Sequence, residues 1–243
     1  MLRHTALIIA LTAAIAACGG GSGGALNDLL EQVRLDDPLS DRTYQENREA
    51  IEVAASIPAL TDHLANDPSP KVRQYCALIL GRIGDPQAVP ALTQALGDTD
   101  SGTRDRAVAA LRQIGEDQAE AAFIEAVRTG SRDAKITVLV ELERGMSTAA
   151  VPAVVELAKA NEGMLSKNAI DTLGGIGDVS AVPPLQEIAL DANMPENLRQ
   201  AAILNLGRID APEADAALEA VITGLGEQPG TEALIAFARN QGD

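Results

Sequence analysis

A five-residue phrase recurs along this chain at a nearly fixed interval. Leu80-Gly81-Arg82-Ile83-Gly84 returns as Leu111-Arg112-Gln113-Ile114-Gly115 and as Leu173-Gly174-Gly175-Ile176-Gly177. A looser copy is Leu206-Gly207-Arg208-Ile209-Asp210. With Leu142 included, the leading leucines stand at 80, 111, 142, 173 and 206, in steps of 31, 31, 31 and 33. A period of this size marks a solenoid, in which each unit buries its apolar face only by stacking on neighbours.

A second phrase lies 12 residues after each leucine: Val89-Pro90-Ala91-Leu92, Ala121-Ala122-Phe123, Val151-Pro152-Ala153-Val154, Val182-Pro183-Pro184-Leu185 and Ala216-Ala217-Leu218. Ile57-Pro58-Ala59-Leu60 opens the series. Each unit therefore holds two segments, A with the Pro-Ala-Leu phrase and B ending at the leucine. In B, Val72, Cys76, Ala77, Leu80 and Ile83 fall on one face of a 3.6-residue helix, a grouping no strand produces. Asp85-Pro86 and Ser69-Pro70 read as N-caps followed by proline at the first helical position. Gly84, Gly115 and Gly177 read as left-handed residues closing helix B. Helical hairpins stacked side by side are the expected fold.

Gly-Arg-Ile-Gly-Asp-Pro-Gln-Ala-Val-Pro-Ala-Leu (81–92), preceded by Val72-Arg73 or Thr103-Arg104, resembles a HEAT repeat of the subtype first noted in phycobilisome lyases. The resemblance covers roughly residues 50–224 and implies an all-α, right-handed α-solenoid of five to six hairpins. Together with the N-terminal pattern described below, the expected division is 1–17 a lipoprotein signal peptide, 18–24 the lipidated Cys and a Gly/Ser tether, 25–46 a capping helix region, 47–224 the solenoid, and 225–243 a C-terminal capping helix and tail. Leu26, Leu29, Leu30 and Val33 give the first cap an amphipathic stripe, and the last cap is expected near 230–240. Repeated arginines Arg73 and Arg104 are expected to bond loop acids such as Asp67 and Asp98 between units. Three departures stand out. Gly145-Met146 replaces Ile-Gly, Ser166 replaces the usual arginine, and two extra residues fall around Asp191–Pro195.

The N-terminus supplies an expected address. Met1-Leu2-Arg3-His4, an apolar run from Thr5 to Ala17 and then Cys18 form a secretory signal, too short for a spanning helix of about 20 residues. Ile15-Ala16-Ala17-Cys18 resembles the bacterial lipobox, which implies lipidation of Cys18 and a membrane-anchored lipoprotein. Gly19-Gly20-Gly21-Ser22-Gly23-Gly24 would hold the folded body off the bilayer. Because Gly19 is not the aspartate that retains lipoproteins in the inner membrane, a Gram-negative host implies the outer membrane, facing the periplasm.

Chemistry is sparse. No His-Glu-x-x-His, paired Cys-x-x-Cys or phosphate-binding glycine loop occurs, so neither metal nor cofactor is expected. Asp98-Thr99-Asp100 reads as a helix cap and Cys76 as a packed core thiol. His63 occupies a position that is apolar in the other units. With nearby carboxylates it carries the alternative reading of an envelope enzyme or a lyase-like enzyme accessory. The net charge of −16 repels phosphate backbones and anionic lipid, and keeps the chain soluble or steers a basic partner.

What remains is a surface. In stacked hairpins the B helices line the inner face. Counting from each leucine back six, back two and forward two selects an outward row. It contains Arg82, Ile136, Val140, Arg144, Asp171 and Arg208, and the adjoining row adds Tyr75, Ile79 and Arg106. Exposed apolar and arginine side chains together suit a protein-binding groove. The expected function is a non-enzymatic, monomeric scaffold or adaptor that binds another protein or peptide of the cell envelope.

Overall fold

In a computed structural model of the protein, residues 30–31 and 57–225 are described. The signal peptide, Cys18, the tether and the C-terminal helix expected near 230–240 lie outside the described residues, as do Leu26, Leu29 and Val33. Leu30 is helical and buried. Among the described residues there are eleven α-helices and no strand. None is long and apolar enough to cross a membrane.

The helices alternate as the period requires. The A helices are α1 (Ile57–Asn66), α3 (Val89–Ala95), α5 (Glu116–Thr129), α7 (Val151–Lys159), α9 (Val182–Leu190) and α11 (Pro212–Leu225). The B helices are α2 (Pro70–Ile83), α4 (Ser101–Ile114), α6 (Arg132–Arg144), α8 (Met164–Ile176) and α10 (Glu196–Leu206). The fold is an all-α solenoid of helical hairpins. The chain divides into two compact units, with the boundary between Ala119 and Glu120 inside α5. In the first, α1 packs on α2 and α3, and α4 packs on α2 and α3. In the second, α6, α8 and α10 pack in series, α7 covers α8, and α9 covers α10 and meets α11.

All five repeated leucines are buried, and so are Leu60, Leu92, Phe123, Val154, Leu185 and Leu218 from the second phrase. At about 1.5–3 kcal/mol per buried side chain, these residues supply the main apolar core of each unit. Small residues set the helix spacing. A methyl group on Gly81 would stand 2.7 Å from the Ala110 Cα, so α2 and α4 meet nearly backbone to backbone.

Punctuation follows the sequence in part. Asp85 and Asp178 each accept an amide N–H two residues on, opening short 3-10 turns (Pro86–Ala88 and Val179–Ala181) before α3 and α9. Asp100 caps α4 through the Thr103 N–H. Ser69 stands at the cap of α2 but its hydroxyl caps nothing; the Asp67 carboxylate takes the Ser69 N–H instead. Gly84 and Gly177 are left-handed, with φ of 71° and 70°. Gly115 departs from that expectation. Its backbone is extended, because α5 starts at once on Glu116 without an intervening 3-10 turn. The two extra residues fall where counting placed them, in the turn between Leu190 and Glu196.

Candidate binding face

A register arginine links the hairpins of the first unit. Arg73, near the start of α2, donates through Nε and Nη2 to both oxygens of Asp98 at 2.7 Å, and through Nη1 to the Asp67 carbonyl at 2.9 Å. Arg104 repeats the inner half of this pattern, donating to the Asp98 carbonyl at 2.7 Å. The Asp98 bond and the surrounding aspartates raise the Arg73 pKa, although its burial acts the other way. Burial alone would raise the Asp100 carboxyl. Hydrogen bonds from Gln74 and from the amide and hydroxyl of Thr103, with the Arg73 charge behind them, hold it below the usual range. Arg73 thus links two hairpins, whereas Arg104, contrary to the expectation of a bond between units, holds the Asp98 and Thr99 carbonyls of the loop within its own hairpin. In the fourth hairpin Ser166 takes over locally, donating to the Leu157 carbonyl and accepting the Glu162 N–H.

Of the residues expected on the B-helix surface, Tyr75 and Ile79 are corrected. Tyr75 is 0% exposed and Ile79 1%. The middle of α2, from Tyr75 to Gly81, is enclosed throughout, so this row turns inward and packs in the core. Glu141 and Arg106, in the same row of later helices, are only half-buried. The row six before, two before and two after the leucine does face outward on α6. Ile136 is 36% exposed, Val140 51%, and Arg144 is exposed. Arg82 is also exposed, on α2 in the other unit.

Asp171 and Arg208 belong to a network that sequence reasoning did not anticipate. Arg208 donates to Glu143 Oε1 at 3.3 Å, to the Asp171 carbonyl at 3.2 Å and to Asn205 Oδ1 at 3.0 Å. Asn205 in turn donates to Asp171 Oδ1 at 2.8 Å. The side chains meet across α6, α8 and α10 because Gly174 and Gly175 leave room. A Cβ on Gly174 would lie 2.1 Å from Asn205 Oδ1, and one on Gly175 would lie 2.1 Å from Glu143 Oε1. The Gly174-Gly175 pair facing a polar Asn205 was the available signal. Lys167 pairs with Asp171 and Arg144 with Glu141, at 2.7 Å and 2.6 Å. The outward face of the second unit thus combines one apolar ridge, Ile136 and Val140, with self-paired charges.

The two candidate reactive groups, His63 and Cys76, are each held in place by their surroundings. His63 Nδ1 lies 3.3 Å from Asp67 Oδ2, but that carboxylate is nearly buried and also holds the Ser69 amide. Burial, with Asp67 nearby, pushes the Cys76 thiol far above its ordinary value, away from thiolate chemistry. Among the described residues no three His, Cys, Asp or Glu side chains gather to hold a metal.

Human deoxyhypusine hydroxylase in complex with glycerol is similar at 18% identity over 88% of this chain and 95% of that one, with a TM-score of 0.43. A designed armadillo repeat protein is similar at 16% identity over 77% of this chain and all of that one, with a TM-score of 0.41. A second designed armadillo repeat protein, in complex with the peptide (KR)4, gives 16%, 78% and a TM-score of 0.43. No curated protein sequence matches the chain. The family model for HEAT repeats matches residues 57–142 and 151–227, more than half of the 243 residues. On that match, and on hairpins that recur in register, the chain belongs to the HEAT-repeat family.

Proposed function

We propose that the protein is a bacterial lipoprotein, anchored through Cys18, that works as a non-enzymatic scaffold or adaptor for another envelope protein or peptide. The observation that carries the binding role is the Ile136–Val140 ridge. A solvated helix has no use for two exposed β-branched residues one turn apart, whereas a partner's apolar side chains do. The anchor rests on Ile15-Ala16-Ala17-Cys18 and the glycine tether after it, which favour an outer-membrane protein facing the periplasm in a Gram-negative cell. The scaffold acts as a monomer in this reading.

The enzymatic alternative leans on His63, whose facing carboxylate already serves the turn before α2. His63→Ala is expected to leave the phenotype unchanged.

The test is a photocrosslinking side chain at Val140 in the tethered protein, followed by mass spectrometry. A discrete partner whose capture is lost with Ile136→Asp supports the reading. Capture that ignores Ile136→Asp rejects it. Labelled fatty acid retained by the wild type and lost with Cys18→Ser tests the anchor; label that persists rejects it.

A further inference from the structure

The net charge of −16 predicts a basic partner, yet the ground around Ile136 and Val140 is neutral. One turn before Ile136 on α6 stand Arg132 and Asp133, one charge of each sign. One turn after Val140 stand Glu143 and Arg144, and both already have counter-charges. Glu143 meets Arg208 at 3.3 Å, and Arg144 meets Glu141 at 2.6 Å. Residues three and four apart share a helix face, so these four residues border the ridge directly. On α8, packed against α6, Lys167 and Asp171 pair at 2.7 Å. Arg132, Arg144, Lys167 and Arg208 are thus balanced by Asp133, Glu141, Glu143 and Asp171.

The pairs beyond Val140 form one network. Arg208 also holds the Asp171 carbonyl and Asn205, and Asn205 donates to the Asp171 carboxylate. Asn205 is buried on α10, so the network is tied to three helices at once. Neither Arg208 nor Asp171 turns toward a ligand without breaking bonds across α6, α8 and α10. The field of a close ion pair fades faster than that of a single charge, and salt at physiological strength screens the rest of the chain within about 8 Å. A charged side chain pressed onto Val140 would lose its water and find only counter-charges already engaged. An apolar side chain there covers a valine that is 51% exposed.

We propose that this face docks an uncharged, apolar peptide segment of a partner protein, selected by apolar contact rather than by charge. The inference rests on the scaffold reading and names the partner's chemistry, against the basic partner that net charge alone suggests.

The test uses the purified full chain and three fluorescent peptides of equal leucine content. Their remaining positions are glutamine, glutamate or lysine. At about 0.15 M salt the glutamine peptide should bind most tightly, and its affinity should not fall as salt rises to about 1 M. Val140→Asp should weaken it by about tenfold or more. Val140→Ser adds no charge and should weaken it too, which separates lost apolar contact from added repulsion. Glu143→Gln removes the carboxylate that Arg208 meets. That variant should shift preference toward the glutamate peptide, with an affinity that falls as salt rises.

A wild-type preference for the lysine or glutamate peptide overturns the proposal, as does the absence of binding to all three. So does binding of neutral vesicles in place of the glutamine peptide, or self-association of the chain that is lost with Val140→Asp. The two readings fail separately. A charged contact segment crosslinked at Val140, and lost with Ile136→Asp, rejects the uncharged partner and leaves the scaffold standing.

Discussion

Met146 carries a strain that its neighbours in the repeat avoid. The residue four after the leading leucine is left-handed at Gly84, at Gly177 and at Met146, where φ is 49°. A side chain in that region costs about 1–2 kcal/mol, and glycine's extra freedom in the unfolded chain returns about 0.5–1 kcal/mol of it. Met146→Gly should therefore stabilise the second unit by about 0.5–1 kcal/mol, seen as a higher urea midpoint at unchanged slope. Arg73 is the opposite case, a residue whose geometry satisfies three acceptors at once. Arg73→Ala should cost about 2–3 kcal/mol, because it removes the counter-charge of a largely enclosed Asp98 carboxylate and leaves it the Asp100 N–H alone on Oδ1. Arg73→Lys should recover little, since one ammonium cannot reach both Asp98 oxygens and the Asp67 carbonyl. A thermal midpoint for the lysine variant equal to wild type would contradict this account.

At the scale of the element, helix ends decide local stability. The Asp100 cap of α4 is held ionised by Gln74, Thr103 and Arg73, and its pKa lies below the unfolded value. Its contribution is thus fully present above the ordinary aspartate range near 3.9 and fades as pH falls through the lower folded value. Asp100→Asn should cost about 1 kcal/mol at neutral pH, with the gap to wild type closing in acid. A gap that widens on acidification would reverse the sign. The end of α6 differs from its counterparts twice over. Gly145 stands at the position of Ile83 and of the buried Ile176, and Met146 is 69% exposed at the strained position that follows. Backbone amides at 142–150 should exchange with solvent faster than those of the equivalent turn at 111–119. Equal rates would show that the substituted pair leaves the joint as firm as the rest.

At the scale of the molecule, each unit gains its stability from hairpins leaning on one another. Leu111, wholly buried on α4, should cost about 2–5 kcal/mol as Leu111→Ala. Denaturant unfolding checks this, and a change under half a kcal/mol would contradict the register of the repeat.

Hairpin order, hairpin count, the buried leucines and the cap at Asp100 were all legible in the sequence. Each depends on residues within a few turns of one another, and a 31-residue period repeats that local pattern visibly. The fate of individual surface positions was not legible. Tyr75 and Ile79 share a row with the half-buried Arg106, yet they are enclosed, because a helix's rotation is fixed by the neighbours it packs against. The same holds for Arg208 and Glu143, 65 residues apart in the chain and joined across α8 only because two glycines leave a gap. Local periodicity determined which segments pair into hairpins. Packing between hairpins decided which side chains face the solvent and which charges are already paired.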